Sequence, residues 1–335
     1  GNQLTYAKGA DVSLGQTKFI DELKINTTDR SEFPQAIAVA KTADVVVMVL
    51  GEVGYQSGEA RSRTDLGLPG VQQDLLEAIY KVNKNIVLVL NNGRPLVLNW
   101  HQKHLPAIVE AWQLGTQSGN AIAQVIYGDY NPSGKLPMSF PRAVGQAPIY
   151  YNYKNTGRPL IPIPNTVFWS HYQDVENTPL YPFGYGLSYS NFEYKHIELN
   201  QKEISDEEEV TVKVTVYNNS ENDGYEVVQL YVKDQVSYFP RPLKELKAYK
   251  KVLIKAHEEV EVEFVLNKDA FSIYSVDFKE FRVESGIFEI LVGNSSRKIV
   301  LQEQIQYNSS TNIIKDLRED NNGTFVSWNL KFYGH

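Results

Sequence analysis

The sequence predicts an α/β domain followed by an all-β domain, and three observations carry that prediction. Between residues 44 and 127, short continuous apolar runs alternate with amphipathic helical stripes. From Phe192 onward the apolar period changes from that of a helix to two. Between them, residues 129–190 are rich in Pro, Gly and Tyr with little periodicity, which reads as a long ordered connection.

In chain order, residues 4–8 (LTYAK) read as a short strand, and no strong helical pattern follows until about Phe33. Residues 44–50 (DVVVMVL) form a continuous apolar run before Gly51, the pattern of a strand covered on both faces. After the Leu68-Pro69-Gly70 turn, Val71, Leu75, Leu76 and Ile79 fall on one helical face. Residues 86–90 (IVLVL), ended by Asn91-Asn92-Gly93, give a second buried strand, and residues 107–112 (AIVEAW) a third. A helix over 118–127 follows, with Ala121, Ile122, Val125 and Ile126 expected to face inward. Alternating strand and helix implies a doubly wound, mostly parallel, flavodoxin-like sandwich with helices on both faces.

In the second half, Val210, Val212, Val214 and Val216 alternate with polar residues, as do Val260, Val262 and Phe264, and Phe288, Ile290 and Val292 alternate with Glu289 and Leu291. Turn signals at Asn222-Asp223-Gly224 and Gly293-Asn294 separate these runs, so an antiparallel, immunoglobulin-like sandwich is expected. The domain bounds read as 1–190, 191–308, and a tail, 309–335. The tail carries Phe325, Trp328, Leu330 and Phe332 and is expected to add a strand to one of the domains.

A formal charge of -7 argues against a nucleic-acid partner, and no apolar run approaches the roughly 20 residues of a membrane helix. The chain has no cysteine, which excludes thiolate chemistry and disulfides. It opens Gly1-Asn2-Gln3 without a start methionine, so any export signal is expected upstream.

Chemistry is expected where strands of a parallel sheet end, which directs attention to residues 50–70, LGEVGYQSGEARSRTDLGLPG. This Gly-rich loop carries Glu52, Glu59, Arg61, Arg63 and Asp65. A carboxylic acid delivered by such a loop into a cleft can protonate a leaving oxygen; nearby carboxylates and desolvation would raise its pKa and the arginines would lower it. A solvated acidic loop with internal Glu–Arg pairs explains the same residue types. His101 and His104 have a metal-compatible spacing but no third ligand, so they are expected at the surface. Residues 115–120 resemble an anion-binding turn, with helix capping by Ser118 or Asn120 the simpler role. No nucleophile-elbow or phosphate-loop motif occurs, and no metal or cofactor is expected.

A series of segments resembles the C-terminal half of glycoside hydrolase family 3. They are VLGE at 49–52, SGEARSRTD at 57–65, LPGVQQDL at 68–75, NNGRPL at 91–96, GDYNPSGKLPMSFPR at 128–142, NTGRP at 155–159, LYPFGYGLSY at 180–189 and RPLKELK at 241–247. Each is weak alone, but they stand in family order. The resemblance implies a fibronectin type III-like second domain and an N-terminal (β/α)8-type barrel on the same polypeptide. It implies retaining hydrolysis of β-glucosides, with an aspartate nucleophile in an Asp-Trp context on the barrel and a glutamate acid/base in the α/β domain. Glu59 matches the acid/base position, and Glu52 is the alternative; Arg61, Arg63 and Asp65 are expected to shape the loop or bind substrate. The four tryptophans follow Asn99, Ala111, Phe168 and Ser327, so the nucleophile is expected outside this chain and the chain alone is expected to be inactive. The resemblance further implies a glycoside or oligosaccharide substrate and a periplasmic or extracellular site. β-Xylosidase or N-acetylglucosaminidase specificity, a non-catalytic docking or sugar-binding module, and a homodimer stay open.

Overall fold

The computed structural model describes residues 3–16, 18–155, 157–158, 164 and 166–311, which form two compact units. Of the described residues, the first unit takes those within 3–132, 136–150 and 171–185, and the second those within 133–135, 151–170 and 186–311.

The first unit is built on a three-stranded parallel sheet, β1 (Val46–Gly51), β2 (Ile86–Asn91) and β3 (Ala107–Glu110), in that order. Helix α1 (Phe33–Thr42) carries Pro34 in its first turn and buries Phe33, Ala36 and Ala40. The Asn83 amide donates to the carbonyls of Ala40 and Ala43 at 3.0 and 2.7 Å, satisfying groups the helix end leaves open. Helix α2 (Gln72–Val82) buries Leu75, Leu76 and Ile79, and Val71 is buried just before it, so the predicted stripe is the buried one. Met48, Leu50, Leu88 and Leu90 complete this core.

The opposite face of the sheet differs from expectation. Val89 on the central strand is fully buried, yet Val49, its neighbour in register, is 59% exposed and Val47 46%. That face is covered over the middle strand and open over β1. Short helix α3 (Asn99–His104) and helix α4 (Ser118–Tyr127) follow β2 and β3. In α4, Ile122, Val125 and Ile126 are half-buried and Ala121 is exposed, so its apolar stripe is present but not sealed among the described residues. Residues 4–8 form no strand; Leu4 and Tyr6 are exposed and the nearest pairing is an isolated bridge from Ser13 to Ile25. A β-prone pentapeptide without a ladder partner has nothing to fix it as a strand.

Within the long connection, residues 136–140 and 180–185 are tied together by backbone pairing. Phe140 and Tyr181 form an antiparallel bridge, and Leu136 N–H donates to Tyr185 O while Gly184 N–H donates to Leu136 O, both at 2.8 Å. This places buried Phe140 edge-on to Trp112, with ring centroids 5.8 Å apart.

The second unit is the expected sandwich. One sheet has the order β5 (Glu203–Ser205), β13 (Ile299–Asn308), β12 (Gly286–Gly293), β7 (Gly224–Asp234), β8 (Glu245–Ile254). The other has β4 (Phe192–Leu199), β6 (Val210–Asn218), β9 (Glu259–Leu266), and a small hairpin joins β10 (Ile273–Ser275) to β11 (Glu280–Arg282) after the short helix α5 (Lys268–Phe271). Every second residue of β6 is buried, as the period of two requires. Phe271, Phe288 and Tyr307 pack their rings 5.2–6.1 Å apart at the centre. Buried Arg241, the first residue of RPLKELK, pairs with Asp234 at 3.2 Å and donates to Phe271 O at 2.9 Å, so that motif is a structural pin here. The tail's four apolar residues lie outside the described residues, as do parts of NTGRP.

Candidate active site

The C-terminal end of β1 turns sharply because Gly51 takes φ +137°, and a Cβ there would lie 2.1 Å from Asn91 O. Gln72, at the start of α2, clasps this point: its amide bonds both the N–H and the C=O of Gly51 at 2.8 Å. The next side chain, Glu52, is buried. Its carboxylate meets Arg63 Nη1 at 2.6 Å and Arg94 Nε at 2.9 Å, and accepts from Ser57 Oγ and Gly93 N–H, each at 3.1 Å. Burial alone would raise this carboxyl, but the Gly93 N–H, Arg63 and Arg94 outweigh it and hold Glu52 below the ordinary carboxylate range.

This ion cluster is the brace of the following loop. Arg94 also donates to the carbonyls of Gln56 and, at 3.0 Å, Arg61, while Arg63 reaches Gly67 O at 3.0 Å. Gly93 fits only because it lacks a side chain, since a Cβ would sit 2.2 Å from Ser57 Oγ. Arg61 bonds Phe19 O at 2.6 Å, and Asp65 closes a small turn by accepting from Gly67 N–H at 2.8 Å. Exposed Phe19 packs edge-on to Tyr55 beside this loop, with ring centroids 6.2 Å apart.

Glu59 stands at the tip of the braced loop. It is exposed, lies between Gly58 at φ +122° and Ala60 at φ +57°, and makes no hydrogen bond or ion pair among the described residues. A non-glycine residue in the left-handed region costs of order 1 kcal/mol, and such strain persists where the surroundings impose it. Thus the two candidate glutamates have opposite settings. Glu52 is ionised, saturated with partners and enclosed; Glu59 is presented to solvent on a held backbone. Arg61, Arg63 and Asp65 all act on the loop itself.

Sequence reasoning passed over Arg94, Asn92 and Glu110. Asn92 sat in the turn read as the end of a strand, Arg94 only in the NNGRPL segment of the family resemblance, and Glu110 in a run read as buried strand. The signal available for Glu110 was its place at the C-terminal end of a parallel strand. Burial pushes its carboxyl up to about 7, against the Trp112 N–H at 3.1 Å and the Asn92 amide. The histidines also differ from expectation: His101 is buried, and desolvation, opposed by Glu77, pushes it down to about 4. His104 stacks on Trp100 with centroids 4.4 Å apart. Among the described residues no three His, Asp or Glu side chains gather as a metal site. The 115–120 turn caps α4 differently from expectation, with Gln117 at the N-cap and no side-chain bond to the helix.

Glu110 and His101 load the same unit with opposing pH dependences. The folded state holds the Glu110 proton more tightly than the unfolded chain, so that contribution is complete below about pH 4.5 and lost as pH rises to about 7. His101 is neutral in the folded state, so its contribution is lost as pH falls from about 6.5 to about 4. Each span corresponds to roughly 3 kcal/mol. Urea unfolding followed by tryptophan fluorescence should therefore show opposite slopes in the two single variants. Stability should rise with pH in Glu110→Gln and fall with pH in His101→Gln; parallel slopes would contradict the assignment.

Comparison with known proteins agrees with this architecture. Residues 4–189 match the glycosyl hydrolase family 3 C-terminal domain, and residues 226–296 the fibronectin type III-like domain. A periplasmic beta-glucosidase of Salmonella typhimurium is 40% identical over 306 residues, 89% of this chain and 40% of its own length. A beta-xylosidase of Formosa agariphila is 40% identical over 299 residues, 88% of this chain and 38% of its own. The crystal structure of a beta-glucosidase from Listeria innocua in complex with glucose superposes with a TM-score of 0.79 at 39% identity, covering 85% of this chain and 39% of that one. The chain spans about 40% of the length of the curated relatives it matches. With the parallel α/β sheet and the sandwich both in place and a relative this similar along nine-tenths of the sequence, the chain belongs to glycosyl hydrolase family 3.

Proposed function

We propose that this chain is the C-terminal part of a retaining β-glucosidase that removes terminal, non-reducing β-D-glucosyl residues, and that Glu59 is its acid/base. The observation that carries this reading is the contrast between the two loop glutamates: Glu59 is exposed and unpaired at the tip of a braced loop, while Glu52 is locked as an ionised brace. An acid/base must exchange a proton with substrate and water, which a carboxylate holding two arginines and two further donors does poorly.

In the proposed reaction an aspartate on an N-terminal barrel, outside this chain, attacks the anomeric carbon while Glu59 protonates the departing glycosidic oxygen. The Glu59 carboxylate then takes a proton from water, which attacks the same carbon and frees the sugar with its β configuration kept. The two carboxyl groups of a retaining site stand about 5–5.5 Å apart, so the loop must reach into the barrel's cleft. The relatives support the substrate class, since the Listeria enzyme was crystallised with glucose and, as a mutant, with laminaribiose. The Formosa relative keeps β-xylosides as a second reading. The Salmonella relative's name favours a periplasmic site, and among the described residues no helix is long and apolar enough to cross a membrane.

The test compares this chain alone with the same chain joined to its barrel, on aryl β-glucosides and β-xylosides, with the product anomer read by proton NMR. The expected result is no turnover by the chain alone and release of β-glucose first by the joined protein. Turnover by the chain alone, or first release of the α anomer, would overturn the proposal. Submillimolar binding of cellobiose to the chain alone would favour a non-catalytic sugar-binding module instead.

A further inference from the structure

We propose that Glu110 is a positioning residue for the Glu59 loop, acting through the turn formed by Asn92, Gly93 and Arg94. The function of that loop rests on the reading above; the coupling itself does not. Leu90 and Glu110 are partners in the parallel register of β2 and β3, so Glu110 stands beside the point where β2 runs into this turn. Its Oε1 accepts from Trp112 N–H at 3.1 Å, and its Oε2 lies 3.5 Å from the Asn92 amide nitrogen. Asn92 is fully buried and donates to Arg94 O at 2.7 Å, which shapes the turn.

One polar atom of this group is left over: Asn92 Oδ1 is buried and has no donor. It is the amide nitrogen, not this oxygen, that meets Glu110: Asn92 Nδ2–H donates both to Glu110 Oε2 and to Arg94 O, so one amide joins the carboxyl to the turn. Glu110 has no ion-pair partner among the described residues that would favour the charged form. The charged groups on this network are Glu52 and Arg63 after β1 and Arg94 after β2, and they pair with one another. Burial disfavours the charged form of Glu110, and the two hydrogen bonds it accepts, from Trp112 N–H and the Asn92 amide, favour it. Burial prevails and pushes this carboxyl up to about 7, so its ionisation changes the strength of the acceptor that the Asn92 amide meets.

From the turn, contacts continue without a gap to both flanks of Glu59. Gly93 N–H bonds Glu52, and Arg94 holds Gln56 O on one side of Glu59 and Arg61 O on the other. Arg61 N–H in turn closes onto Gly58 O at 3.3 Å around Glu59 itself. Loss of the Glu110 proton sets an unpaired charge against the Asn92 amide nitrogen and draws it from Arg94 O toward Glu110, which shifts the turn and with it the loop. Glu110 never touches substrate in this account.

Two readouts test it. In this chain, the Glu110 side-chain carbon is titrated by carbon-13 NMR while the amide signals of Gly93 and Gly58 are followed in the same samples. Both amides should shift with the Glu110 midpoint, and that transition should vanish in Glu110→Gln, which cannot ionise. In the barrel-joined protein, Glu110→Gln should move the basic limb of kcat against pH upward, while Glu110→Ala should lower kcat about tenfold or more with a smaller effect on KM. Amides of the turn and loop that ignore the Glu110 titration, or a basic limb left in place by Glu110→Gln, would overturn the proposal. The first readout needs no catalysis, so it stands or falls separately from the role of Glu59.

Discussion

Glu59→Ala in the barrel-joined protein is expected to slow hydrolysis of phenyl β-glucoside by roughly 10²–10⁴, the span typical of a lost general acid. With 2,4-dinitrophenyl β-glucoside, glycosylation should slow far less, because a good leaving group departs without a proton. Deglycosylation still needs the missing base, so this substrate should show a fast burst followed by slow turnover and a depressed KM. That split is specific to the acid/base role. The loop's backbone is held by Arg94, Arg63 and Arg61 and not by the Glu59 side chain, so the variant should keep the wild-type fold. Equal loss on both substrates would show that the variant had disturbed the site as a whole.

Glu52→Ala is expected to behave in the opposite way. Removing this carboxylate leaves Arg63 and Arg94 facing one another without their shared counter-ion and strips acceptors from Ser57 and Gly93. Breaking a buried ion cluster on one side costs about 3–5 kcal/mol, and because both arginines keep some contact with water the lower end applies. Urea unfolding should therefore show a loss of about 3 kcal/mol. Activity should fall alike for good and poor leaving groups, since the loop loses its brace and no proton transfer is removed as such. Glu52→Gln, which keeps an acceptor for Gly93 but not the charge, should lie between wild type and Glu52→Ala in stability.

Much of the architecture could be read in the sequence because it is fixed by local periodicity. The stripe of Val71, Leu75, Leu76 and Ile79 has one helical reading, and the alternation of Val210 to Val216 one strand reading. The fate of α4 depended on how much sheet lies opposite its stripe, a long-range property that Ile122, Val125 and Ile126 do not record. The site was legible as a loop, and less so as a mechanism. Residue types alone gave Glu52 and Glu59 equal claims; what separates their settings is Arg94, contributed from more than thirty positions downstream by a different strand end. His101 likewise reads as a polar helix end, yet α3 packs it inward. Glu110 was hidden because a carboxylate closing a buried strand looks like a strand terminus until Asn92 and Trp112 are brought around it.

The most direct test of the central claim, that Glu59 is the proton-transfer group of the site, is azide rescue. Glu59→Ala in the barrel-joined protein is incubated with 2,4-dinitrophenyl β-glucoside and sodium azide. A small anion admitted to the space of the missing carboxylate should attack the glycosyl-enzyme, restore turnover and yield β-glucosyl azide, while Glu52→Ala should give none. Absence of β-glucosyl azide from Glu59→Ala, or its appearance from Glu52→Ala instead, would contradict the assignment.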